Sequence, residues 1–191
     1  MKLLRYLAGL LVFLLATAVT PAQHYEAGQA VADIITSPSD DRDYLAHRLK
    51  NGLRVLLISD PHTDKAAAAL DVRVGSGSDP EERPGLAHLL EHMLFLGTER
   101  YPEAGEYQAF IQLHGGNDNA YTMPDHTNYY FDIESQYLRG ALERFSQFFV
   151  AALFNPRFIE RERGIVHAEF SAKLQSDGRR YLAAKIGRAH V

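Results

Sequence analysis

Gly85-Leu86-Ala87-His88-Leu89-Leu90-Glu91-His92-Met93-Leu94-Phe95-Leu96-Gly97 is a leucine-rich run that follows Pro84 and closes on a glycine. Proline in a first turn and glycine past the last apolar residue predict a helix over residues 84–96. On such a helix His88 and His92 stand four apart, so both imidazoles share one face within reach of a single ion. Glu91, three residues after His88, lies on the same side. Two neutral imidazoles and an acid aimed at one place suit a hydrolytic zinc site, where the metal acidifies a water and a non-ligating carboxylate carries its proton. Polar groups on the buried side of a leucine-rich helix need such a reason, because unpaired they cost a few kcal/mol. With nine His and twelve Glu in the chain, His-x-x-Glu-His arises by chance about 0.03 times in a sequence of this length, so a third ligand from another element is needed to define the site.

Composition limits what that ligand can be. The chain has 191 residues, 46% hydrophobic and 23% charged, and no cysteine. It is the composition of a globular protein rather than of a disordered or collagen-like one. Without cysteine there are no disulfides, thiolate metal sites or cysteine nucleophiles, and any metal sits on His, Asp or Glu. A net charge of −4 gives no footprint for nucleic acid.

The first 22 residues read as an export signal. Lys2 and Arg5 make a positive start, residues 6–19 are almost wholly apolar, and small residues follow, with cleavage after Ala22 preferred and Ala16-Thr17-Ala18 a second candidate. Fourteen apolar residues are too few for a spanning helix. Retention as a membrane anchor is the alternative, disfavoured because nothing after Val19 prolongs the apolar run. The protein is therefore expected in the periplasm or secreted, with no stable membrane anchor after cleavage. Losing Lys2 and Arg5 takes its charge from −4 to −6, which leaves no basic stripe for anionic polymers.

Residues 23–43 are polar and carry Pro38 in a Ser-Pro-Ser-Asp-Asp cluster, a linker or N-terminal arm. Strands are predicted at residues 44–49 and 53–59 around Lys50-Asn51-Gly52, since Asn-Gly between apolar runs is a hairpin signal. A third is expected at 67–74. After the first helix a second spans about 104–113 and stops at Gly115-Gly116. Strands follow at 119–122 and 127–134, the latter with Thr127, Tyr129, Phe131 and Ile133 on one face, which reads as core. An amphipathic stretch at 135–152 and a last helix from about 157 to 175 are separated by Pro156. The pattern predicts an α+β class: a mixed, largely antiparallel sheet covered on one face by helices.

The sequence around His88-Leu89-Leu90-Glu91-His92 resembles the inverted zinc motif of the pitrilysin/insulinase family, read as His-x-x-Glu-His and then a glutamate some seventy-odd residues on. Here Glu169 follows His92 with 76 residues between, within Glu162-Arg163-Gly164-Ile165-Val166-His167-Ala168-Glu169. Asn119-Ala120-Tyr121-Thr122 and His126-Thr127-Asn128-Tyr129-Tyr130-Phe131 resemble the strand pair beside that family's active site, and the likeness spans about residues 44–181. The resemblance implies that His88, His92 and Glu169 bind one Zn2+ per catalytic unit, that Glu91 is the general base and that Glu162 is a supporting acid. Helical spacing agrees on the last point: Glu162 and Glu169 are seven apart, two turns, and share a face. His167 projects elsewhere. His24, His47, His62, His114, His126 and His190 have no partner at ligand spacing and are left out of the metal site. In the family the substrate is similar to a strand added at the 119–122 edge, which implies peptide contact at Asn119, Ala120 and Thr122.

The resemblance further implies a zinc-dependent endopeptidase acting on peptides and small unfolded polypeptides. It implies the first unit of a clamshell, incomplete here, whose later units or a partner chain close over the substrate. Residues 44–185 read as the N-terminal part of that catalytic domain. Residues 186–191, Ile-Gly-Arg-Ala-His-Val, can be written as the codons ATC-GGA-AGA-GCA-CAC-GTC, a common sequencing-adapter string, and read as a non-native tail. The competing functional readings are a non-catalytic metal-binding partner subunit and an inactive truncated fragment. A sheet lacking strands leaves an open edge, so poor solubility is expected of these residues expressed alone.

Overall fold

A computed structural model describes residues 29–30, 34–173, 176–178 and 180–181. The export-signal reading and the adapter reading of the tail lie outside the described residues. The chain divides into two compact units between His62 and Thr63.

In the first unit, β1 (Gln29–Ala30), β2 (Asp43–Arg48) and β3 (Arg54–Ser59) form a sheet in that order. β2 and β3 are antiparallel, with Asp43 opposite Ser59 and Arg48 opposite Arg54. The expected hairpin turn forms at Lys50-Asn51-Gly52. Leu49 and Leu53 close it by a backbone hydrogen bond of 2.8 Å, the Asn51 side chain accepts from the Leu53 N–H, and Gly52 takes the left-handed conformation at φ 89° that a three-residue hairpin loop needs.

The second unit holds β4 (Lys65–Val72), α1 (Leu86–Leu94), α2 (Glu106–Leu113), β5 (Asn117–Thr122), β6 (Thr127–Glu134), α3 (Leu138–Gln147) and α4 (Pro156–Lys173). Its sheet has the order β4-β6-β5 with antiparallel pairing throughout, so among the described residues β5 is an edge strand. β6 falls on the expected residues. Thr127, Tyr129, Phe131 and Ile133 are all buried beneath the helices, while Tyr130 on the opposite face is exposed. Leu94, Tyr107, Ile111, Ala141, Phe145 and Phe148 complete the core against that face. This is the α+β architecture expected, with helices on one face of an antiparallel sheet.

Most element ends fall within about two residues of expectation, and three differences are instructive. β4 covers 65–72 rather than 67–74: Lys65 pairs with Glu134 at the far end of β6, while the Val74 carbonyl accepts the Thr127 hydroxyl and leaves the ladder. The stretch predicted as helix over 135–152 starts as a 3-10 turn at Ser135–Tyr137, and α3 ends at Gln147. Beyond it, Ala152 bridges Thr98, and Ala151 and Leu153 exchange backbone hydrogen bonds with Glu99 and Gly97. Pairing there takes the backbone out of the helix. Finally, Pro84 lies outside α1.

Among the described residues, no helix is long and apolar enough to cross a membrane.

Candidate metal centre

The start of α1 sets the position of every residue on it. Gly85 is the N-cap at φ 89° and has no side chain with which to cap. The carboxylate of Asp79, six residues upstream, serves instead: Oδ2 accepts the Gly85 N–H at 2.8 Å and Oδ1 the Ala87 N–H at 2.9 Å. A negative group at this end also complements the helix dipole. Asp79 was not among the residues singled out from sequence, and its loop position six to eight residues from its partners leaves no periodic signal.

From that start α1 turns His88 and His92 toward α4, against which it packs, and Glu91 toward the end of β5. His88 Nε2 and His92 Nε2 are 3.3 Å apart. Glu169 on α4 brings Oε2 to 3.6 Å from His88 Nε2 and Oε1 to 3.8 Å from His92 Nε2. One ligand atom from each of the three residues lies within 4.8 Å of the others. His92 Nδ1 stands 3.1 Å from Glu162 Oε2. A carboxylate can only accept, so Nδ1 carries the proton and Nε2 presents its lone pair to the other two groups. The His92 lone pair, the His88 ring nitrogen and the Glu169 carboxylate thus converge as a donor set for one cation. Bonds of about 2.0–2.1 Å in tetrahedral directions place ligand atoms roughly 3.3–3.4 Å apart, close to the spacing found. The donor set therefore fits Zn2+.

Glu162 is buried on α4. Its burial raises the carboxyl pKa, but hydrogen bonds from the Arg161 guanidinium, 2.9 Å away, and from His92 outweigh that, and the group lies below the ordinary carboxylate range. An ionised Glu162 holds the His92 ring in its tautomer and orientation. Arg161 was also missed in the sequence, although its place next to Glu162 is the kind of signal that finds it.

Glu91 is 7% exposed and accepts a hydrogen bond from the Thr122 hydroxyl at the end of β5. Beneath it, the Tyr129 hydroxyl is held well above its ordinary pKa by burial and by the negative charge of Glu91. Of the three residues expected to touch substrate, the side chains do different things. Thr122 faces Glu91, Ala120 packs against the core, and Asn119 is exposed on the other face, its Oδ1 accepting the Ala120 N–H at 2.9 Å. That amide, bonded to its neighbour's side chain rather than to β6, lies on the open edge of the sheet.

Two imidazoles and a carboxylate converging beside a buried glutamate, on helices over an antiparallel sheet, have the makings of a metallopeptidase. Residues 54–186 match the family described as Insulinase (Peptidase family M16), and the chain belongs to that family. Insulin-degrading enzyme of Mus musculus is 51% identical over 144 residues, 75% of this chain and 14% of the relative. A Schizosaccharomyces pombe protein whose name includes the words zinc protease is 47% identical over 154 residues, 81% of this chain and 15% of that protein. The crystal structure of pitrilysin matches with a TM-score of 0.76 at 41% identity, covering 81% of this chain and 17% of that one. The chain thus spans about one seventh of the length of these curated relatives. Its cofactor is zinc.

Proposed function

We propose that the chain carries the zinc-binding part of an exported endopeptidase that hydrolyses peptides and small unfolded polypeptides. The observation that carries this reading is the convergence of His88, His92 and Glu169 with the buried carboxylate of Glu91 beside them. His88, His92 and Glu169 would hold Zn2+, which when bound supplies a Lewis acid that acidifies water and polarises a peptide carbonyl. Glu91 takes the proton of the attacking water and passes it to the leaving amine. Glu162 fixes the His92 ring so that its lone pair stays on the site.

The substrate is placed by backbone. Among the described residues no strand pairs with the outer edge of β5, and the Ala120 N–H on that edge donates to the adjacent Asn119 side chain. An extended peptide adding there would take this donor and others of the strand, which fixes its direction whatever its sequence. The remainder of a longer polypeptide, or a partner chain, would close the site, in keeping with the small share of the relatives that the chain spans. Export is supported by residues 1–22: a basic start, an apolar run and small residues at the cut.

The test is Glu91→Gln in the complete zinc-loaded protein that contains this chain. Zinc stoichiometry is expected to persist while kcat on a quenched-fluorescence peptide falls by roughly 10²–10⁴-fold. Unchanged kcat with full zinc occupancy would sink the assignment of Glu91. Export is checked separately by N-terminal sequencing of the mature protein, expected to begin at Gln23.

A further inference from the structure

The contact between Thr122 and Glu91 is made by a hydroxyl, and its surroundings are built to hold it. We propose that Thr122 is a positioning residue for the general base: its hydroxyl fixes the Glu91 carboxylate for proton transfer instead of contacting peptide. The inference rests on the reading of Glu91 given above. Thr122 Oγ1 donates to Oε2 of Glu91. That bond sets the plane of the carboxylate and leaves Oε1 as the oxygen that takes the proton. Glu91 is buried, so without this donor an ionised oxygen loses its partner and the side chain is drawn to other rotamers.

Both ends of the contact are fastened to one short segment, residues 75–79. The Ser76 N–H donates to the Met123 carbonyl at 2.9 Å and the Gly77 N–H to the Pro124 carbonyl at 2.7 Å, which clamps the turn immediately after Thr122. This approach depends on glycine, for a Cβ on Gly75 would come within 2.0 Å of the Met123 oxygen and one on Gly77 within 2.4 Å of the Pro124 oxygen. Two residues on, Asp79 caps the helix that carries Glu91. Across the strand pair, Thr127, the register partner of Thr122, is buried and donates to the Val74 carbonyl at 2.8 Å. The segment that places the strand end thus also places the helix start, and the separation of hydroxyl and carboxylate is set by the same backbone. A strand that served only to bind peptide through its edge would not need a hydroxyl on its inner face.

The test uses the complete zinc-loaded protein. Thr122→Val keeps shape and strand preference but deletes the donor, and Thr122→Ser restores it. We expect Thr122→Val to lower kcat by about 10- to 100-fold, the scale of a misplaced reacting group, with KM within about twofold and zinc content unchanged. Thr122→Ser should recover most of kcat. In a Glu91→Gln background, Thr122→Val should add no further loss, because two groups acting as a unit are not additive. A kcat within twofold of the parent in Thr122→Val, a loss carried by KM, or an equal loss in both backgrounds would each overturn the inference while leaving the role of Glu91 intact. Full activity of Glu91→Gln alone would overturn the base assignment and this inference with it.

Discussion

The two sheets of this chain are built from similar strands and end in different conditions. β6 alternates strictly, and its inner residues are closed over: Phe131 is 1% exposed and Ile133 0%. β3 has four apolar residues in succession, Val55 to Ile58, and Leu56, Leu57 and Ile58 are 56%, 54% and 51% exposed. Both strands pair in good register. Pairing and turn chemistry are therefore local properties that either sequence can satisfy, whereas burial needs a second layer laid on the face. The candidate metal site lies where that layer exists. Helices α1 and α4 carry the side chains of that site, and the core packed against β6 is the floor of α1, which joins it through Leu94.

Four substitutions put this contrast to the test, and all are best made in the complete protein. Phe131→Ala should have the largest effect, a loss of about 3–5 kcal/mol from transfer and cavity terms, read from the denaturant midpoint, with zinc binding weakened in step. A loss below about 1 kcal/mol would mean that the floor is not close-packed. Gly77→Ala should cost about 1–3 kcal/mol, since its Cβ meets backbone rather than a yielding side chain. A smaller effect should follow from Asp118→Asn. Asp118 faces the core side of β5 opposite Phe131, and burial raises its carboxyl above the ordinary 3.8. The folded state therefore binds this proton more readily than the unfolded chain. Stability contributed by the neutral acid is present below pH 3.8 and is lost as pH rises through the folded value. The asparagine variant should be the more stable above that window and no more stable below it, as thermal melts across acid pH would reveal. Leu57→Ser should do least, within about 0.5 kcal/mol, provided that the remainder of the longer polypeptide leaves this face of β3 open. A loss above 2 kcal/mol would place Leu57 in a packed face and end the contrast.

Much of the site could be read from residues close together in sequence. His88 and His92 four apart, Glu162 and Glu169 seven apart, and the alternation of Thr127, Tyr129, Phe131 and Ile133 all follow from the two periods of regular structure. What could not be read this way depends on contacts between distant backbones. Pro84 was expected in the first turn of α1, but Asp79 reaches over the intervening loop to start the helix at Leu86. The segment after Gln147 has a helical pattern and is drawn out of the helix by Thr98. Thr122 was read for its strand edge, and the hydroxyl it turns toward Glu91 has no counterpart in any local pattern.

The clamp over residues 75–79 also bears on which changes of chain length the protein tolerates. Each residue added to a helix start turns the helix by 100° and advances it by about 1.5 Å. An insertion between Gly77 and Asp79 would have to give up the cap or the grip on the β5–β6 turn, or else rotate His88 and His92 away from Glu169. This stretch is a fixed spacer, intolerant of insertion and deletion although it is loop by conformation. Length variation between proteins of this architecture should accumulate at turns such as Lys50-Asn51-Gly52, where nothing stands within 4 Å of a Cβ built on Gly52.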